Sequence, residues 1–207
     1  NTITEAGRAK VMQDEKARLV KENLDRLARE EIVYHGSIVA LPQITGWSDL
    51  ERTIACLAER KAQTIRIFLP GYTRFSPEKV KFAPGLREEL ADFIAGMRDQ
   101  YTVPLTLEPA VVDDLVPRVA GVIEASPADR AGLRSGDVIN LINGWAPASR
   151  VGAFNRLLDS GSAKISFSRG EETSQTVVDK KPEEKSGLVM NYDLAPATIE
   201  KLRKKGN

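Results

Sequence analysis

Short apolar runs alternate with segments of helical periodicity through the first half of the chain. Residues 32–41 form an almost unbroken apolar run that ends before Pro42, and two shorter strand-like segments follow at residues 64–69, before Pro70, and 103–107. Unbroken apolar runs of this length are typical of strands that are buried on both faces, as in a parallel sheet. We therefore expect three parallel strands whose two faces are both covered.

Segments with apolar residues three and four positions apart lie before and between these runs. They predict one long helix over residues 4–31, with Thr4 as its N-cap, and further helices over residues 47–61 and 86–101. Strands that alternate with helices predict repeated βα units, so the first half is expected to be an α/β domain.

Glycines punctuate the second half, most clearly in the segment GVIEASPADRAGLRSGDVINLING at residues 121–144. Each of these glycines stands where a helix end or a tight turn needs a positive φ angle. Asp137 follows a turn glycine and can accept hydrogen bonds from nearby backbone N–H groups. The predicted elements are, in chain order, strand 121–124, helix 128–131, strand 138–142, helix 150–159 and strands 163–168 and 173–179.

This order resembles the centre of a PDZ domain, of the kind found in bacterial proteases and multidomain enzymes. The resemblance is carried by GVI, SPA, AGL, GDVI and ING within residues 121–144. Such domains bind a peptide by strand addition in a groove beside a helix, which here is residues 150–159. The resemblance implies a peptide or protein partner, or an intramolecular one, and does not imply catalysis. The candidate groove residues are Leu115, Arg118, Val119, Arg150, Val151, Phe154 and Leu158.

A PDZ domain usually captures the carboxylate of its ligand with a glycine-rich loop, which we expect just before Gly121. No GLGF-like sequence stands there, because residues 115–120 carry Pro117 and Arg118. Capture of a free C-terminus and an intramolecular contact with the tail or with the first half therefore stay open as alternatives.

A second resemblance covers residues 36–75, GSIVALPQITGWSDLERTIACLAERKAQTIRIFLPGYTRF. This segment looks like the C-terminal half of a radical S-adenosylmethionine barrel, with its GxIxGxxE strand, its DLERTI-type helix and its Pro-Gly-Thr-like turn. Gly36, Ile38, Ala40 and Gln43 match the strand motif, although Ala40 replaces the second glycine and Gln43 replaces the glutamate. The resemblance implies that these four residues contact S-adenosylmethionine, with Ile38 near the adenine. The alternative is that Ile38 only fills the core.

The cysteine count limits what this half can do. Radical S-adenosylmethionine enzymes hold a [4Fe–4S] cluster with three cysteines, whereas this chain has only Cys56. The resemblance therefore implies that the cluster belongs to an upstream half of a longer parent, and the start at Asn1 in place of methionine indicates trimming. We expect this fragment to hold no cofactor and to be inactive, and Cys56 to be a small buried apolar residue.

The sequence gives little support for a metal site, a serine nucleophile, a nucleotide site or binding to nucleic acid or a membrane. His35 is the only histidine and lies in an apolar run, so we interpret it as a core or pocket histidine and not as a metal ligand. No GxSxG, GxGxxG or phosphate-loop pattern indicates a serine nucleophile or a nucleotide site. The 30 Lys and Arg nearly balance the 29 Asp and Glu, which gives no electrostatic argument for nucleic acid or a membrane surface. With no membrane-length apolar run and no signal peptide, we expect a cytoplasmic protein.

The expected fold is a partial (βα) barrel unit with parallel strands, followed by a PDZ-like, mainly-β domain with helices. The expected boundaries are residues 1–107 for the βα unit with its long N-terminal helix, 108–182 for the PDZ-like domain and 183–207 for a tail. The apolar island SGLVMNYDL in this tail either covers a groove or begins a further domain, and a terminal helix is predicted over residues 193–205.

Two functions follow as hypotheses. The first is an inactive fragment of a radical S-adenosylmethionine, iron–sulfur oxidoreductase-like protein of unknown substrate, in which the PDZ-like part positions a partner or a domain. The second is a non-enzymatic adaptor whose PDZ-like part binds peptides or proteins. Because an incomplete barrel exposes sheet edges and apolar surface, we also expect the chain to form a homodimer or to close this surface with its N-terminal helix.

Overall fold

The computed structural model describes residues 1–78, 81, 84–110, 112 and 114–192. It divides into two compact units, Asn1–Pro109 and Ala110–Asn207. Each unit contains its own cluster of buried apolar side chains.

The first unit is built on a three-stranded parallel sheet. Its strands lie in the order β1-β2-β3, and helices connect each strand to the next. The predicted parallel arrangement is therefore confirmed. Its elements are α1 (Glu5–Met12), α2 (Ala17–Arg29), β1 (Gly36–Val39), α3 (Pro42–Thr45), α4 (Trp47–Glu59), β2 (Ile65–Phe68), α5 (Leu86–Arg98) and β3 (Leu105–Glu108).

Helices α4 and α5 pack on one face of this sheet, whereas Ser37 and Arg66 on the opposite face are exposed. The expectation that both faces are covered was wrong for β1 and β2, because both connecting helices lie on the same side, whereas Thr106 of β3 is buried on the opposite face. The first apolar run is also only partly a strand: Ile32 and Val33 precede it and are 48% and 64% exposed. The core consists of Ile38, Ala40, Leu50, Ile54, Ala62, Ile65, Ile67, Leu86, Leu90, Ile94, Met97 and Leu105.

The predicted long N-terminal helix is two helices. Thr4 is the N-cap of α1 as predicted, and its hydroxyl accepts a hydrogen bond from the N–H of Gly7 at 3.2 Å. The helix ends at Gln13, which has a left-handed φ of 52°. Asp14 stabilises this break, since it pairs with Arg8 and accepts a hydrogen bond from the N–H of Lys16 at 2.8 Å.

The N-terminal segment packs against α4. Thr2 Oγ1 donates to Asp49 Oδ1 at 2.9 Å, and the N–H of Ile3 donates to Thr53 Oγ1 at 3.2 Å. Arg60, just after α4, pairs with Asp25 of α2 at 2.8 Å. These contacts attach α1 and α2 to the helical layer of the first unit.

The second unit contains two antiparallel sheets, β5-β6-β7 and β4-β8. The segment before β4 joins them, because Val119 donates its N–H to the carbonyl oxygen of Asp137 at 2.8 Å and Arg118 forms a β-bridge with Val138. The elements are β4 (Gly121–Val122), α6 (Pro127–Arg130), β5 (Val138–Ile142), α7 (Arg150–Asp159), β6 (Ala163–Arg169), β7 (Glu172–Val178) and β8 (Leu188–Val189).

Asp137 organises the turn before β5. Its carboxylate is completely buried and accepts a hydrogen bond from the N–H of Arg134 at 2.8 Å, which confirms the predicted local contact. The guanidinium of Arg169 donates to both carboxylate oxygens at 2.8 Å. The surrounding core consists of Val119, Ala128, Leu133, Ile139, Ile142, Ala153, Leu157, Ala163, Ile165, Phe167, Val178 and Leu188.

Candidate functional site

Strand β8 comes from the apolar island that the sequence placed in the tail. Its pairing with β4 uses the carbonyl oxygens of Gly187 and Val189, which accept hydrogen bonds from Ile123 at 2.9 Å and Ala120 at 2.8 Å. Because successive residues of a strand direct their backbone groups to opposite edges, the N–H and C=O groups of Leu188 and Met190 point away from β4. Within residues 114–192, no other strand pairs with this second edge. The neighbouring strand can therefore be supplied by a ligand.

The start of β8 is fixed on the N-terminus of α6. Ser126 caps this helix by accepting a hydrogen bond from the N–H of Asp129 at 3.2 Å, and Ala128 donates its N–H to the carbonyl oxygen of Ser186 at 2.8 Å. Gly187 has a φ of +86°, and a Cβ atom there would lie 2.1 Å from Ser126 Cβ and Oγ. Only glycine fits this position.

The segment that connects β7 to β8 is fixed at its other end on the C-terminus of α7. Lys180 is 7% exposed, and its ammonium donates to the carbonyl oxygens of Leu158 at 3.3 Å, of Lys181 at 3.1 Å and of Ser160. Glu183 also donates its N–H to the carbonyl oxygen of Leu158 at 3.0 Å. Residues 180–187, here called the β7–β8 loop, therefore extend from the end of α7 to the start of β8.

Helix α7 is anchored at its beginning. Ser149 is its N-cap and accepts a hydrogen bond from the N–H of Gly152 at 3.0 Å. Arg150 is buried; it pairs with the carboxylate of Asp114 and donates to the carbonyl oxygen of Asp114 at 2.7 Å. This pairing lowers the pKa of the Asp114 carboxyl below its ordinary value.

The faces of α7 have different surroundings. Its core face carries Ala153 and Leu157, which are buried. One flank is covered, because Trp145 lies beside the helix with its ring 5.8 Å from the guanidinium carbon of Arg156. The flank on the other side of the core face carries an apolar stripe at helical spacing, which consists of Val151, Phe154 and Leu158. Phe154 is 39% exposed, whereas the other two members of the stripe are half-buried.

Four of the seven predicted groove residues, Arg150, Val151, Phe154 and Leu158, lie together on α7. The other three precede β4. The backbone of Arg118 and Val119 pairs with the start of β5, Val119 is buried in the core, and Leu115 is half-buried. The structure thus places this segment on the β5 side of β4, opposite the open edge of β8.

Sequence reasoning missed the strand that carries the open edge. Residues 186–190, SGLVM, have a glycine followed by apolar residues, which is the pattern we sought before Gly121. It stands instead after β7, at the start of β8. An apolar strand that begins at a glycine was the available signal.

The four predicted cofactor residues lie in the first unit. Gly36, Ile38 and Ala40 are buried along β1 and its end, and Gln43 is exposed on α3. A Cβ atom at Gly36 would lie 2.9 Å from Leu57 Cδ1, and Ile38 is 1% exposed within the core. Close packing therefore accounts for the residue types at the first three positions.

Two of the candidate residues remain to be placed, His35 and Cys56. His35 is exposed, with Nδ1 at 2.9 Å from Thr64 Oγ1, so its interpretation as a core histidine was wrong: the strand begins one residue later. Cys56 is 7% exposed, as predicted, and burial raises the pKa of its thiol. Among the described residues, no three His, Cys, Asp or Glu side chains come together to hold a metal ion. None of the described helices is long and apolar enough to cross a bilayer.

No protein-family model matches this sequence, and no curated protein matches it. Among solved structures, the PDZ domain of an SdrC-like protein from Listeria monocytogenes is similar to this chain. The two share 26% sequence identity over 38% of this chain and 90% of that chain, with a TM-score of 0.30. A TM-score of 0.30 does not establish a shared fold. We therefore interpret the second unit from its own strand order and contacts. The radical S-adenosylmethionine resemblance gains no support from these comparisons.

Proposed function

We propose that the second unit is a protein-interaction module that binds an extended peptide segment by strand addition to β8, with α7 as the opposite wall of the groove. The observation that carries this proposal is the edge of β8 directed away from β4, where Leu188 and Met190 present backbone donors and acceptors. A peptide strand gains affinity from such main-chain hydrogen bonds and specificity from pockets for alternate side chains.

The β7–β8 loop favours a peptide that ends at the groove. A ligand strand antiparallel to β8 has its C-terminus at the beginning of β8, beside this loop. The N–H of Leu188 makes only a long contact there, 3.3 Å to Ser186 Oγ, and a carboxylate is a stronger acceptor than a hydroxyl. Lys185, which is exposed, adds a positive charge to the same loop.

The apolar stripe of α7 indicates what the side chains of the peptide should be. Val151, Phe154 and Leu158 offer no charged group and no hydrogen-bond donor beyond their backbone. Alternate apolar side chains of a bound strand would remove Phe154 from water, and aromatic residues at the centre of an interface carry much of its binding energy. We therefore infer a partner with apolar residues at and near its C-terminus.

Fluorescence polarisation with a library of labelled peptides tests this function on the full chain. Peptides with apolar C-terminal residues should bind as free acids, and should weaken at least about tenfold when the C-terminus is amidated. Phe154→Asp should reduce affinity by at least about tenfold, whereas Asn155→Asp, its exposed neighbour on α7, should leave it unchanged. Absence of any binder, or equal effects of the two substitutions, would contradict the proposal.

A second candidate function concerns the first unit, which would belong to a βα enzyme that uses S-adenosylmethionine. The observation that favours it is the sequential parallel order β1-β2-β3 with its connecting helices, since successive units of a βα barrel have this order. Of the four residues that the resemblance implies, Gly36, Ile38 and Ala40 are buried and only Gln43 is exposed to a cofactor, and the iron–sulfur cluster would need cysteines that this chain does not contain. The reading frame upstream of Asn1 tests the idea: a CxxxCxxC run encoded there would support it, and a full-length protein without one would remove it.

A further inference from the structure

Lys180 is the only lysine that the described part of the second unit buries, being 7% exposed. A buried ammonium is costly unless each of its three donors has a partner. Lys180 meets this demand with the carbonyl oxygens of Leu158, Ser160 and Lys181, and no carboxylate pairs with it among the described residues. A surface lysine that solubilises the protein would not have this environment.

Two of these carbonyl groups belong to the end of α7. The last carbonyls of a helix lack partners within the helix, and they lie at the negative end of its dipole. The ammonium satisfies those of Leu158 and Ser160, while its third donor returns to Lys181 in the β7–β8 loop. Lys180 therefore joins the end of α7 to the β7–β8 loop, which leads into β8.

The opposite end of the loop is held independently. Gly187 lies against Ser126, and the carbonyl oxygen of Ser186 accepts a hydrogen bond from Ala128. The start of β8 is thus fixed on α6, and hydrogen bonds from Lys180 and Glu183 join the other end of the loop to the end of α7.

We propose that Lys180 is a positioning residue of the peptide groove, which sets the spacing between the end of α7 and the β7–β8 loop without touching the peptide. This inference rests on the proposed peptide-binding function. A preorganised groove loses less free energy on binding, because its loop does not have to be ordered by the ligand. Loss of the ammonium should consequently weaken peptide binding more than the accompanying loss of stability explains.

The experiment compares Lys180→Met, which fills the same space without donors, with Lys180→Arg, which keeps the charge and the donors. Thr176→Val is the matched control, since it removes a hydrogen bond to the carbonyl oxygen of Ala131 at 2.8 Å in another part of the unit. Peptide affinity by fluorescence polarisation, the melting temperature and amide hydrogen exchange over residues 181–190 are measured for each variant of the full chain.

Lys180→Met should weaken binding at least about tenfold and speed exchange in the β7–β8 loop, whereas Thr176→Val should change affinity less than about twofold at a similar loss of stability. Lys180→Arg should restore most of the affinity. The proposal is overturned if Lys180→Met and Thr176→Val weaken binding equally, or if Lys180→Arg is no better than Lys180→Met. If Lys180→Met does not fold, Lys180→Gln replaces it with the same expected order of affinities.

The exchange measurement separates this inference from the function on which it rests. If the unsubstituted chain binds no peptide, the proposed function fails. Faster exchange confined to residues 181–190 in Lys180→Met would still show that the ammonium holds the loop, and unchanged exchange there would overturn the positioning role.

Discussion

Single residues fix the β7–β8 loop at its two ends. Gly187 permits a contact with Ser126 that no side chain allows, and Lys180 satisfies carbonyl groups at the end of α7. The sequence showed the glycine and the lysine but not these contacts, because both join segments that are far apart in the chain. In contrast, the contact of Asp137 with Arg134 is local, and the turn sequence predicted it.

Gly187→Ala should destabilise the second unit and abolish peptide binding. Its new Cβ would lie 2.1 Å from Ser126 and its φ of +86° is strained for alanine, so the free energy of unfolding should fall by about 2 to 3 kcal/mol. Gly170→Ala is the control, since its φ is +60° but nothing lies within 4 Å of the added Cβ, and it should cost only about 1 kcal/mol. Chemical denaturation measures both; equal costs would contradict the close contact.

The pairing of Asp114 with Arg150 should give the start of α7 a dependence on pH. Because the hydrogen bond from Arg150 lowers the pKa of Asp114, the stabilisation is fully present above the ordinary value of 3.8 and is lost as the pH falls through the lowered pKa. Amide exchange at Gly152 should therefore be faster in Asp114→Asn than in the unsubstituted chain at neutral pH, and the two rates should converge in acid. A difference that persists unchanged in strong acid would show that the carboxylate is not its cause.

At the scale of elements, the sequence predicted best those helices and strands whose ends depend on neighbouring residues in the chain. The bounds of α7 and β5 are those predicted, because Ser149 provides an N-cap and the apolar positions have the periods of a helix and a strand. The long N-terminal helix was wrong because an ion pair between Arg8 and Asp14 stabilises a break that periodicity does not show. The role of β8 was missed because strands of two residues carry almost no pattern, and pairing with β4 depends on the fold around them.

Proline substitutions distinguish the two edges of β8. Met190→Pro removes an N–H from the open edge, so it should weaken peptide binding at least about tenfold relative to Met190→Ala, which loses the same half-buried side chain but keeps the N–H. Val189→Pro removes an N–H from the edge that faces β4, and it should destabilise the unit itself. Fluorescence polarisation and denaturation are measured on all three variants. Undiminished binding by Met190→Pro would contradict strand addition at this edge.

At the scale of the whole molecule, one apolar core stabilises the parallel sheet and a separate one stabilises the two antiparallel sheets. The alternation of strands and helices predicted the parallel sheet, and glycine punctuation predicted the antiparallel part. The exposure of Ser37 and Arg66 on one face of the parallel sheet was not predictable, because an apolar run does not reveal on which side its connecting helices pack. Homodimer formation stays a prediction.

Separate cores should respond separately to substitution. Ile165→Ala empties a fully buried position in the second unit and should cost about 2 to 5 kcal/mol there. Amide exchange monitored over the full chain should accelerate in β5, β6 and β7, and stay unchanged in β1, β2 and β3. Equal acceleration in both sheets would show that the two cores unfold together.

The most direct test of the central claim is an NMR titration of the ¹⁵N-labelled full chain with an apolar C-terminal peptide. Strand addition predicts the largest amide shifts at Leu188 and Met190, together with shifts along the α7 stripe and smaller ones at Val189. Saturating peptide that leaves the amides of β8 unchanged, or that shifts mainly those of β7, would contradict the account.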